Sequence, residues 1–141
     1  IGCNKVSKPM LIENAEDFIQ NSNIGIHTVS PDGIIKYANE HELKVLGYTE
    51  EEYVGHHVSE FQFDKSCLEQ MMMKLAKFEP FSNFPAMVYG KHKIKYILYN
   101  SSVYDKEGEF IHTRCFGNEI SESVYQACKL DYKKSLTNSM Y

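Results

Sequence analysis

Histidine and cysteine are the residues of this chain best suited to chemistry, and it has six of one and four of the other. Imidazoles move protons near neutral pH, and thiolates attack electrophiles or bind metals. Together with the acidic residues, His27, His41, His92 and His112 could in principle supply an acid and a base. On its strand, however, His27 alternates out of phase with Ile24 and Ile26, and His92 falls at a turn, so spacing positions no pair. The adjacent His56 and His57 point apart and read as a solvated loop rather than a metal site. Cys3, Cys67, Cys115 and Cys128 include no CxxC pair, which favours reduced thiols in a cytosol-like compartment over a disulfide framework. GxSxG, HExxH, GxxxxGK[ST] and kinase nucleotide motifs are absent, and the segment reads as non-enzymatic.

Composition narrows the partners. A net charge of -4, with Arg114 as the one arginine, argues against nucleic acid, which needs clustered positive charge. No apolar run approaches a membrane span, and no signal peptide opens the chain. The 141 residues, 43% hydrophobic, fit one domain able to bury a core. Because the chain starts at Ile1, it is expected to be a segment of a longer protein, whose membrane attachment elsewhere is left open.

The elements that position these residues follow from periodicity. Leu11, Ile12, Ala15, Phe18 and Ile19 have helical spacing over residues 10–21. "NIGIHTVS" and "IIKYAN" alternate as strands about the turn "SPDG". Asn39 with Glu42, and Thr49 with Glu52, read as capping boxes for two short helices closed by Gly47 and Gly55. Leu68, Met71, Met72 and Leu75 form the stripe of a helix over residues 64–78. Three further strands, "NFPAMVYG", "HKIKYILYNSSVY" and "EFIHTRCFG", make a meander, and a polar helix follows. The result is an α+β fold with a five-stranded antiparallel sheet and short helices on one face.

With these residues assembled, "PDGIIKYANEHELKVLGYTEEEYVG" and "GEFIHTRCFGNEISE" resemble segments of PAS domains, the sensory modules of many bacterial histidine kinases. The resemblance spans Ala15 to Glu122 and includes the turn, the strand ending in asparagine and the LGY-[ST]-xEE-[LY]-x-G segment. Glu119 and Ser121 stand where the family's closing Asp-Ile-Thr motif has aspartate and threonine, marking them as the junction to an output helix. It implies a PAS-like domain at residues 10–120, after an extension at 1–9 and before a signalling helix or linker at 121–141. Light-sensing LOV members carry a reactive cysteine in "GxNCRFLQ"; here "GHHVSEFQ" has Val58 at that place, which argues against flavin photochemistry. Haem-binding members supply a histidine from the long helix, and residues 64–78 hold none. The ligand and any cofactor are therefore left unnamed.

Alternation assigns the cavity lining, with Lys93 and Lys95 facing solvent. This puts Phe84, Ala86 and Val88 inward, together with Tyr96, Leu98, Asn100 and Ser102. The family pattern adds Thr113 and Cys115, and Met72 suits a wall beside a variable ligand. Asn100, Ser102, Thr113 and Tyr96 either satisfy one another or orient a small molecule. Phe110, His112, Arg114 and Phe116 then face outward and, with Phe18, suggest a homodimer surface. Two functions follow: a sensor coupling a small ligand or partner to the last helix of a kinase-type parent, or an interaction module with a filled core.

Overall fold

The computed structural model describes residues 14–139, with side chains to residue 133. The expected helical positions Leu11 and Ile12, and Cys3, lie outside the described residues. In chain order the elements are α1 (Ala15–Gln20), β1 (Gly25–Val29), β2 (Ile35–Ala38), α2 (Glu40–Leu46), α3 (Glu50–Tyr53), a 3-10 turn (Val58–Glu60), α4 (Lys65–Ala76), β3 (Phe81–Tyr89), β4 (Ile94–Lys106), β5 (Glu109–Ile120) and α5 (Glu122–Ser139). The strands form one antiparallel sheet in the order β2-β1-β5-β4-β3. Strands β1 and β5, distant in sequence, therefore meet at its centre.

Asn39 organises the entry to the helices and is completely buried. Its side-chain oxygen accepts from the Ile26 amide (2.9 Å) and caps α2 by accepting from the Glu42 amide (3.0 Å). Its amide nitrogen donates to the Ile19 carbonyl, the Ser22 hydroxyl and the Ile24 carbonyl. One side chain thus ties α1, β1 and α2 together. The Asn39 backbone N–H is already donated to Ile26, so Glu42 does not complete the expected capping box. Thr49 and Glu52 do form theirs, with bonds of 2.9 and 3.3 Å.

The inner sheet face differs from the expected alternation at three places. On β4 the inward residues are Ile97, Tyr99 and Ser101, opposite Ala86, Phe84 and Phe81. Tyr96, Leu98, Asn100 and Ser102 lie on the other face. Lys95 misleads because it shares the inner side with Ile97, yet at the sheet rim it reaches Glu119 at 2.9 Å. On β1, Gly25, His27 and Val29 point inward, leaving Ile24 and Ile26 outside. The third departure is a bulge where β4 pairs with β5 beyond Tyr104. Tyr104 pairs with His112 and Asp105 with Phe110, so Ile111 is the extra residue and Phe110 swings to the helical side, near Phe78.

Replacing Asn39 with alanine removes the cap and strands buried polar groups, and is expected to cost about 3 kcal/mol in urea unfolding. A loss under about 1 kcal/mol would contradict this central role.

Candidate functional site

Between the inner sheet face, the 3-10 turn and α4 lies a cavity of about 50 Å³. Val29, Val58, Leu68, Met71, Met72, Leu75 and Phe81 give it apolar walls. His27, Gln62, Tyr99, Ser101, Thr113 and Cys115 add polar groups. A second space of about 220 Å³ adjoins it beside Met72, Leu75, Thr113 and Phe110. Gln62 is buried, and its side-chain oxygen has no partner within the protein.

The polar groups are connected. Antiparallel pairing sets His27 of β1 opposite Cys115 of β5, and Cys115 opposite Ser101 of β4, all on the inner face. Glu42 descends from α2 over Gly25, where a Cβ would lie 2.4 Å from its carboxylate oxygen. This places Glu42 Oε2 2.8 Å from His27 Nδ1, an ion pair rather than a well-aligned hydrogen bond. The Tyr53 hydroxyl donates to the same oxygen at 2.7 Å. Burial pushes the Tyr53 phenol well up, keeping this donor protonated.

Two opposing effects act on the pair. Burial favours neutral Glu42, but His27 and the Tyr53 hydroxyl outweigh it and hold the carboxyl below its ordinary value. Burial likewise favours neutral His27, and the Cys115 and Glu42 groups together hold its pKa well above the usual imidazole value. At neutral pH the interior contains a charge-assisted cluster inside an otherwise apolar core.

Of the residues expected to line the cavity, Met72, Thr113 and Cys115 do so. Val88 borders a small void next to it, while Phe84 and Ala86 are core residues, Phe84 packing on Phe81 and Tyr132. Tyr96, Leu98, Asn100 and Ser102 are not at the cavity; Tyr96 instead packs on Tyr125 of α5 and Asn100 accepts from the Asn83 amide. His112 stacks near Tyr104 on the outer face, where Phe116 is 36% exposed. Phe18 is exposed on α1, which docks at the β2–α2 junction. Sequence reasoning missed His27, Gln62, Tyr99 and Ser101. The usable signal was Gly25 and Gly117, cross-strand partners whose missing side chains make room for Glu42 and Tyr99.

Comparison with known proteins agrees with this architecture. A family model described as PAS domain matches residues 23–122. The chain belongs to the PAS domain family. Solved structures similar to this PAS domain include that of an HTR-like protein from Haloarcula marismortui, 22% identical with a TM-score of 0.64, covering 75% of this chain and 88% of that one. A light-oxygen-voltage domain studied with a flavin analogue is 19% identical with a TM-score of 0.73, covering 84% and 93%. A PAS domain from a two-component sensor histidine kinase is 13% identical with a TM-score of 0.63, covering 75% and 93%. No curated protein matches the sequence.

The PAS interior can be tested against the family's large cofactors. The cavity of about 50 Å³, with Val58 in its wall, is smaller than a flavin ring system, and a space of about 220 Å³ adjoins it. Haem lacks a histidine on α4, and among the described residues no group of three His, Cys, Asp or Glu is placed for a metal. No described helix is long and apolar enough to cross a membrane.

Glu42 links stability to pH. A carboxyl with a lowered folded pKa stabilises above its unfolded value, ordinarily about 4.5, and loses that contribution as pH falls through the folded value. Urea midpoints of the wild type should therefore drop below about pH 4.5. Glu42→Gln should be about 3 kcal/mol less stable at pH 6 and flatter in the acid range. Parallel acid limbs in both proteins would contradict the assignment.

Proposed function

We propose that this PAS domain is a sensory and dimerisation module that converts the state of its interior into a change at α5. The observation carrying the reading is continuity: Thr113 and Cys115 line the cavity from β5, and β5 runs directly into α5. The junction is held from both sides. Glu119 pairs with Lys95, and the Ser121 hydroxyl accepts from the Val124 amide to cap α5. Past the junction, α5 turns back along β3, with Tyr125 buried against Tyr96 and Tyr132 half-buried against Phe84. A helix of 18 residues is marginal on its own, so its docking responds to 1–3 kcal/mol of coupling.

The stimulus is a small molecule or a partner contact, the module itself is cytoplasmic, and the parent is a sensor histidine kinase. Resemblance to kinase-linked PAS domains supports the latter. The outer sheet face pairs two copies through Leu98 and Phe116, without Phe110. A second reading, an interaction module with a filled core, draws support from the small cavity, since ordinary ligand pockets reach 300 Å³ or more.

Hydrogen exchange separates the two. Met72→Ala alters the cavity wall, and the sensory reading expects the amides of Glu122–Lys133 to exchange about fivefold faster or slower, equivalent to about 1 kcal/mol. Changes confined to α4 would overturn it. For the dimer, Leu98→Glu with Phe116→Glu should yield a monomer in sedimentation, and an unchanged profile would overturn the pairing.

A further inference from the structure

We propose that Cys115 is a modification site, a nucleophilic thiol that reacts inside the cavity with a hydroperoxide small enough to enter, such as hydrogen peroxide. This inference rests on the interior being the sensory site, and it names the stimulus.

Four observations meet at the sulfur. His27, an imidazolium anchored by Glu42 at 2.8 Å, faces Cys115 from the neighbouring strand and favours a thiolate there. Thr113 Oγ1 lies 3.2 Å from the sulfur and already accepts from the Val29 amide, so its proton is free to point at a thiolate. Ser101 faces the sulfur from the other neighbouring strand. Across the same cavity, Gln62 presents a buried oxygen with no protein partner, an acceptor suited to a ligand that donates a hydrogen bond. Hydrogen peroxide donates two, and about 50 Å³ admits it while refusing bulkier oxidants.

Electrostatics distinguish this thiol from its neighbour. Burial raises the Cys115 pKa, but His27, Ser101 and Thr113 outweigh it and lower the value. At Cys67, burial and Asp64 outweigh Lys129 and push the thiol up to about 11. A thiolate is the form that attacks.

In the reaction Cys115 attacks as a thiolate, its proton released to water and its charge facing the protonated His27, and the sulfur bonds to one peroxide oxygen. The S–O bond forms as the O–O bond breaks. Hydroxide leaves, takes a proton from His27 to become water, and His27 regains one from solvent. Sulfur is oxidised to a sulfenic acid and peroxide is reduced. The added oxygen occupies the cavity beside β5, the strand that continues into α5.

The test exposes the chain to a few-fold excess of hydrogen peroxide, denatures it in dimedone and quantifies the adduct at each cysteine by mass spectrometry. Cys115, despite its burial, should react at least about tenfold faster than Cys67. Cumene hydroperoxide should lose this preference. In His27→Gln, checked for folding by circular dichroism, Cys115 should slow by about tenfold or more. Oxidation of Cys115 no faster than Cys67 in the wild type, or an unchanged rate in a folded His27→Gln, would overturn the proposal. Either result would leave the exchange response to Met72→Ala intact, so failure here is distinct from failure of the sensory reading.

Discussion

A carboxylate inside the fold is the constraint on which the rest depends. Glu42 is 4% exposed, and a buried charge costs several kcal/mol unless paired and hydrogen-bonded. Its partners then dictate geometry. His27 must point inward from β1, Tyr53 must be carried there by α3, and Gly25 must lack a side chain where the carboxylate crosses the strand. Asn39 sets the direction of α2 that delivers Glu42, and thereby couples the cap of a short helix to the centre of the sheet.

Pairing β1 with β5 brings this charged cluster against the strand that runs into α5. The strand order matters because the inner face of β5 contributes to the cavity while its far end is locked by Lys95 and Glu119. A strand is stiff along its length, so altered packing around Thr113 or Cys115 has a short mechanical route to Ser121. Packing of Tyr125 and Tyr132 gives α5 a docked position that such a change can weaken.

Much of the fold was legible in the chain. Capping residues at Asn39 and Thr49, the "SPDG" turn and the alternation of three long strands are local signals, and each produced its element near the expected place. The site was less legible. Met72, Thr113 and Cys115 reach the cavity, whereas alternation set by Lys93 and Lys95 as solvent-facing places Tyr96, Leu98, Asn100 and Ser102 on the wrong face, because Lys95 sits on the inner side at the sheet rim. Phe110 changed sides because a bulge inserts Ile111, and a bulge resets alternation without any local sequence mark.

By itself, the sequence determined the helices, turns, strands and their antiparallel class, since these depend on contacts within a few residues. Tertiary structure alone decided which strand face is inside and that His27, Glu42 and Cys115 meet. An ionisable residue in an alternating strand reads as a surface group until its partner, brought from another element, makes its burial favourable.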